Sequence, residues 1–142
     1  MESLGIGPTY EWLWNSGMDI LVNPEFYHEY LSSPLPLDGN VSVPIGKYNY
    51  SGLNVIWQSY QTNNLRATGS FYAGQFYDGS LFTADFYPTW YASKYLEISP
   101  EYELNIARFP DRNSSFTSHI VMLRLNTALN VHFFSNAFIQ YD

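Results

Sequence analysis

The sequence predicts an all-β protein, an antiparallel up-and-down meander of about eight strands of the outer-membrane β-barrel type, forming part of a larger barrel. Three observations predict this class. Apolar and polar residues alternate along most of the chain, as strands with two unlike faces require. Only 13% of the 142 residues are charged, against about 25% in ordinary soluble domains. Aromatic residues make up 19%, and aromatic girdles border the apolar band of membrane barrels.

Eight alternating segments follow one another within a single predicted domain, residues 1–142, and most approach the length that crosses a bilayer at a tilt. In chain order they are 4–14, 18–29, 48–58, 65–73, 82–90, 96–106, 121–126 and 131–140. Turn signals separate several of them, at Asn15–Gly17, Gln61–Asn64, Asp78–Ser80, Ala92–Lys94 and Ala128–Asn130. The clearest alternation is 96–106, where Leu, Ile and Tyr face one side and Glu, Ser and Asn face the other.

Two irregularities qualify the pattern. In the third segment Tyr48 and Tyr50 occupy the polar phase, so the alternation slips before Gly52 and predicts a bulge there. Prolines also fall inside strands, where each removes a ladder donor. All four share the apolar phase, which predicts less regular pairing at these points: Pro8, Pro24, Pro88 and Pro100.

The lengths of the connections predict which end of the meander lies outside the membrane. Two connections are long, Ser32–Gly46 and Arg108–Phe116, and turns of a meander alternate between its ends, so both lie at one end. Outer-membrane barrels carry long loops outside and short turns in the periplasm. Both chain ends would then lie on the outside, contrary to a complete bacterial barrel. We therefore expect strands to be missing at both ends, or the strand count to be wrong by one.

The pattern offers three sets of candidate residues. A polar row is expected to face the barrel lumen: Asp85, Glu97, Glu101, Glu103 and Arg124. An exposed loop concentrates charge in a chain that has little, and loops of this kind contact ligands or partners: Arg108, Asp111, Arg112 and Asn113. The aromatic girdles are expected to comprise Tyr10, Trp12, Trp14, Trp57, Trp90, Tyr102 and Tyr141.

Other chemistry is not indicated. A net charge of −7 argues against nucleic-acid binding, which needs a basic surface. The chain has no cysteine, and His28, His119 and His132 fall on separate segments, so neither a metal site nor a cofactor is predicted. The N-terminal residues lack the basic and apolar regions of a signal peptide. We expect no catalytic residue, although Glu101 or Glu103 could serve in a glycoside-active enzyme.

An ordered set of short motifs resembles a known family. In sequence order these are Lys47–Tyr50 (KYNY), 69–79 (GSFYAGQFYDG), 98–102 (ISPEY), 108–113 (RFPDRN), 119–124 (HIVMLR) and 137–141 (AFIQY). They look like the C-terminal barrel region of a bacterial family of unknown function whose full-length members carry an N-terminal carbohydrate-binding module similar to family 9. The resemblance covers most of the chain and is strongest from Val41 onward.

The resemblance implies a bacterial outer-membrane location and a role in handling carbohydrate or envelope material, with a carbohydrate ligand in the full-length protein. It transfers no catalytic residue. The leading hypothesis is a partial outer-membrane barrel with a structural, anchoring or transport role, whose partners are the lipid bilayer and the missing flanking strands. The alternative is a soluble ligand-binding barrel of the lipocalin or streptavidin type, with its apolar phase around a cavity.

Overall fold

The computed structural model describes residues 2–38, 41–60, 64–130 and 133–142. These residues form strands almost throughout, and one 3-10 helix, Pro110–Arg112, is found among them. In order the strands are β1 (Glu2–Ile6), β2 (Tyr10–Leu13), β3 (Asp19–Leu31), β4 (Leu35–Asp38), β5 (Val41–Val43), β6 (Gly46–Gln58), β7 (Leu65–Phe76), β8 (Gly79–Ser93), β9 (Leu96–Phe109), β10 (Ser114–Asn130) and β11 (Phe133–Tyr141). No helix among the described residues is long and apolar enough to span a bilayer.

One antiparallel sheet contains all the strands except β4 and β5. Its order is β1–β3–β6–β7–β8–β9–β10–β11, with β2 also paired to β3. The predicted antiparallel meander is therefore confirmed, and the ladder between described residues ends at two open edges, β1–β2 and β11, without closing into a barrel. β4 and β5 form a separate hairpin inserted between β3 and β6.

The four prolines predicted inside strands lie opposite one another in two pairs, although Pro8 itself falls between β1 and β2. β1 and β2 pair with β3 in the same register, and extending it across residues 7–9 places Pro8 opposite Pro24. The register of β8 with β9 is likewise the same on both sides of a gap and places Pro88 opposite Pro100. The ladders on the other side of Pro24, Pro88 and Pro100 are continuous. The missing donors therefore face each other, and the loss of hydrogen bonds is confined to two places.

Replacing both members of the second pair, Pro88→Val with Pro100→Val, is expected to stabilise the sheet. Each valine restores an N–H opposite a carbonyl, and each new hydrogen bond contributes about 1 kcal/mol. Urea unfolding in detergent micelles, followed by tryptophan fluorescence, measures the change. Pro34→Val, outside the main sheet, is the control and should give no gain. A double variant less stable than the parent would contradict this account of the gap.

The two faces of the sheet differ in character, and we name them by the β4–β5 hairpin. The hairpin packs over one face, the hairpin face, and the opposite one is the open face. On the open face, apolar side chains give way to polar ones toward the hairpin end of the sheet. The change is from Phe26 to His28, Leu53 to Ser51, Ala73 to Gln75, Phe82 to Ser80, Ile106 to Arg108 and Val121 to His119.

The hairpin face shows the reverse change. Away from the hairpin its rows are polar, as in Asn54, Tyr72, Thr83, Asn105 and Ser118. Toward the hairpin it becomes apolar and holds the most buried side chains of the described chain. These are Leu31, Val43, Ala107 and Phe109, each at most 3% exposed, and Tyr77 is buried beside Leu31 and Val43.

The predicted bulge before Gly52 is wrong. β6 pairs with β3 without interruption from Gly46 to Gln58, so the alternation never slips. Tyr48 and Tyr50 lie on the hairpin face and pack against the buried cluster there. The apolar side chains change face at this point because the hairpin provides a core on one side.

The connections were predicted with mixed success. The turns at Asn15–Gly17 and Asp78 are confirmed, the second as a two-residue turn, Tyr77–Asp78, between β7 and β8. The connection predicted as Ala92–Lys94 lies slightly later, at Lys94–Tyr95. Ser32–Gly46 is long and contains the hairpin, but Arg108–Phe116 is not a long loop, because only Pro110–Asn113 separates β9 from β10. The turn predicted at Ala128–Asn130 is wrong, because these residues form the end of β10, where pairing with β11 shifts register. Residues 61–63 of the turn predicted at Gln61–Asn64 lie outside the described residues.

Candidate functional site

The predicted polar row lies on the hairpin face. β9 directs Glu97, Glu101 and Glu103 to this face through its alternation, and cross-strand pairing brings Asp85 opposite Glu103. The four carboxylates are half-buried. Arg124 of β10 shares the face, and its side chain is 50% exposed.

Each carboxylate of the row has a polar partner. Ser70 Oγ donates to Asp85 Oδ2 at 2.7 Å, and Tyr87 OH donates to Glu103 Oε1 at 3.2 Å. Asn126 Nδ2 donates to Glu97 Oε1 at 2.9 Å, and Arg124 Nη2 lies 3.5 Å from Glu101 Oε1. All four contacts join neighbouring strands. Such bonds satisfy half-buried polar groups. The arrangement is therefore a connected polar wall that spans β7 to β10.

Three further carboxylates of β3 share the hairpin face and were not assigned to the site from the sequence. Tyr27 OH donates to Glu25 Oε2 at 2.8 Å, and Asp19 lies at the far end of the strand. Glu29 is only 6% exposed and accepts a bond from Tyr50 OH at 2.7 Å. Their place on the polar phase of the second segment was the available signal. Together with the predicted row they make this face strongly acidic.

The residues predicted as aromatic girdles lie on the open face wherever they belong to strands. They are not arranged as two separate borders, because four of them fall in one row of the ladder. That row runs Trp12, Ile20, Trp57, Gly69, Phe86, Tyr102, Val121 and Tyr141. Of the remaining three, Tyr10 lies two residues from Trp12 on the side of the row nearer to the hairpin, Trp90 lies four residues from Phe86 on the other side, and Trp14 follows the end of β2.

A glycine shapes the middle of this row. Trp57 and Phe86 lie on either side of Gly69 and stack with ring centroids 6.0 Å apart and planes 23° apart. A Cβ added at Gly69 would lie 2.5 Å from Trp57 Nε1. Because Gly69 has no side chain, the indole ring of Trp57 can reach across β7 to Phe86. Such cross-strand pairing of an aromatic residue with a glycine stabilises sheets.

The predicted exposed loop is only partly exposed. Arg108, Asp111 and Asn113 are exposed, and Asn113 adopts a left-handed conformation with φ of 48°. Arg112 contradicts the prediction, since it turns toward the protein. Its Nη2 lies 2.8 Å from Asp78 Oδ1, its Nη1 donates to the carbonyl of Ser42, and its guanidinium lies 4.1 Å from the centre of the Phe109 ring.

An aromatic cluster supports this end of the sheet. Tyr77 lies 5.1 Å from Tyr48, 5.2 Å from Tyr50 and 4.7 Å from Phe76, measured between ring centroids. Burial, together with the neighbouring Glu29 carboxylate, raises the pKa of Tyr77 to about 12. Its hydroxyl therefore remains protonated and able to donate across the ordinary pH range.

The histidines are dispersed. His28 Nδ1 bonds to Asn49 Oδ1 at 2.6 Å, and His119 Nδ1 bonds to Tyr102 OH at 2.9 Å. His132 lies outside the described residues. Within the described part of the chain, no three metal-ligating side chains come together.

Comparison with protein-family models, curated proteins and solved structures finds no match to this chain. The resemblance noted from the sequence motifs therefore stays a prediction.

Proposed function

We propose that this chain forms part of the wall of a bacterial outer-membrane β-barrel, with its open face in contact with lipid. The observation that carries the proposal is the exposure of the apolar phase. Phe26, Phe71, Phe86, Trp90 and Val121 are each at least 38% exposed on that face, whereas the carboxylates opposite them are half-buried. A soluble sheet covers its apolar face, and contiguous apolar patches of this kind mark interaction surfaces.

The dimensions of the apolar surface agree with the proposal. On β8 the open-face side chains are apolar from Phe82 to Trp90, about 26 Å along a strand at 3.3 Å per residue. A barrel tilt of 35–45° reduces this to a height of roughly 19–22 Å, slightly less than the apolar band of outer-membrane barrels, which is about 25 Å. The polar positions beyond Phe82 would then lie above the hydrocarbon.

The two open edges of the sheet support the proposal that further strands pair with it. All described residues of β11 are exposed, and its outer edge has no neighbour in the described sheet. An open edge is not tolerated in hydrocarbon, since its backbone groups have no water to bond. We therefore propose that β11 and the β1–β2 edge pair with further strands, which close the wall around the acidic hairpin face. The role would be structural, anchoring or transport, and the link to carbohydrate rests on the sequence resemblance alone.

The soluble ligand-binding barrel is supported less well. Such a barrel needs large apolar side chains around an enclosed cavity. Leu104 and Leu123 are half-buried, but they lie on the open face, and Trp12 of the same phase is 52% exposed. The face that the hairpin covers carries Glu97 and Glu101 instead.

Single-cysteine variants test the lipid contact, since the chain has no cysteine of its own. Ala73→Cys and Gln75→Cys form a matched pair. Both side chains are exposed on the open face of β7, on either side of the change from apolar to polar. With an environment-sensitive fluorophore attached and the protein refolded into phosphatidylcholine vesicles, the label at position 73 should emit at shorter wavelength and be quenched by brominated lipid. The label at position 75 should behave as in water.

Two results would refute the lipid-facing wall. One is a water-like signal at both positions in folded, vesicle-bound protein. The other is a folded, monodisperse monomer in buffer without detergent, because a monomer stable in water has no need to cover the open face with lipid.

A further inference from the structure

The β4–β5 hairpin reaches across the hairpin face from β3 to the turn between β9 and β10. Its Val43 is completely buried beside Leu31 of β3 and Tyr77. On its other side, the carbonyl of Ser42 accepts a bond from Arg112, which follows β9. Leu37 of the same hairpin faces Phe116 of β10 across a shared groove. The hairpin therefore lies over one end of the sheet instead of extending away from it.

One side chain joins the hairpin to two other turns. The guanidinium of Arg112 contacts Ser42 in the hairpin and Asp78 in the turn between β7 and β8. It also lies on the ring of Phe109, which is 1% exposed. Arginine suits such a position, because its planar group can bond in several directions at once while stacking on an aromatic ring. The described hairpin also packs on the sheet through Val43, against Leu31 and Tyr77, and next to β5 the hydroxyl of Tyr48 donates to the carbonyl of Pro44 at 2.9 Å.

The space beneath the hairpin connects its apolar underside to the polar wall. A groove of about 460 Å³ lies there, lined by Leu37, Phe76, Leu81, Asn105, Phe116 and Ser118. The next positions on the hairpin face toward the opposite end of the sheet include Glu103 on β9 and Ile120 on β10. The acidic wall therefore begins directly beyond the groove that the hairpin borders through Leu37.

We infer that the β4–β5 hairpin is a lid over this end of the polar interior, held shut by Arg112. The inference rests on the proposed function, which makes the hairpin face the interior of a barrel. Releasing the guanidinium removes the polar contacts that join the hairpin to the turns after β7 and β9. Apolar packing and the bond from Tyr48 to the carbonyl of Pro44 then hold the lid, and it opens more often.

Thiol accessibility tests the lid directly. Ser118→Cys places a thiol in the groove, and Ser115→Cys places one on the exposed open face of the same strand. Each variant is made with and without Arg112→Ala and reacted in detergent with a charged methanethiosulfonate reagent. Arg112→Ala is expected to raise the reaction rate at position 118 at least about tenfold, the factor for losing one charged hydrogen bond. The rate at position 115 should remain unchanged.

The outcomes separate the lid from general loosening and from the membrane proposal. An unchanged rate at position 118, or an equal increase at both positions, would overturn the inference. If Arg112→Ala does not fold, Asp78→Asn removes one partner and should raise the rate at position 118 by a smaller factor; no rise there would equally overturn it. The reaction takes place in detergent, so it does not depend on lipid contact. A lid confirmed in this way, with water-like labels at positions 73 and 75, would refute only the proposed membrane wall.

Discussion

Replacing Phe109 with alanine is expected to lower the free energy of unfolding by about 3 to 5 kcal/mol, the range for large aromatic side chains in packed cores. Phe109 is the largest fully buried side chain of the described residues. Its ring supports the guanidinium of Arg112 at 4.1 Å and lies against Gly79 of the neighbouring strand. Alanine would therefore leave a cavity at the base of the hairpin as well as remove the stacking partner of Arg112.

Reversible urea unfolding in detergent micelles measures this loss. Ile45→Ala is the matched control, because Ile45 lies in the same region but is 56% exposed, and it should change stability by less than about 0.5 kcal/mol. Equal small effects at both positions would mean that the hairpin end of the sheet has no packed core.

In the proposed barrel wall, replacing Phe71 with arginine is expected to destabilise the inserted protein by about 1 to 3 kcal/mol, because a cationic side chain on the lipid face costs about 2 to 4 kcal/mol at the bilayer midplane and less toward the interfaces. Phe71 lies on the open face between Val55 and Ala84, within the apolar band. It is 38% exposed. In a water-soluble sheet, a substitution at a partly exposed position would have a much smaller effect.

Two controls isolate the contribution of lipid. Gln75→Arg places the same charge on the open face of the same strand, beyond the apolar band and at an exposed position, and should be nearly neutral. Phe71→Leu removes the ring without adding charge and gives the packing loss to subtract. Unfolding is measured in lipid vesicles. If the loss of unfolding free energy in Phe71→Arg is near zero after the loss in Phe71→Leu is subtracted, the open face does not meet hydrocarbon.

The local pattern was enough to predict the strands and their two phases. The segment 96–106 became the core of β9 with the expected residues on each face. The turns at Gly17 and at Asp78 also followed from composition, because a glycine with φ of 86° and a two-residue connection impose a reversal locally. Such features depend on neighbours within a few residues, so the sequence alone can encode them.

The interpretation of the prolines depended on pairing. The sequence alone predicts less regular strand pairing at Pro88 and at Pro100 separately. The register shows that they face each other, which confines both missing donors to one gap. Two residues twelve positions apart cannot be matched until the length of the turn between them is known, and the turn proved to be later than predicted.

The sequence by itself determined that one phase of each strand is apolar and the other polar, because alternation follows from the geometry of an extended chain. It did not determine which face is covered, so the bulge predicted from Tyr48 and Tyr50 and the exposure predicted for Arg112 were wrong. Only the tertiary structure brings the hairpin over one face, joining residues 42, 78 and 112. Contacts between residues so distant in the chain leave no periodic signal, so the fold alone decided where the apolar core lies and which face remains open.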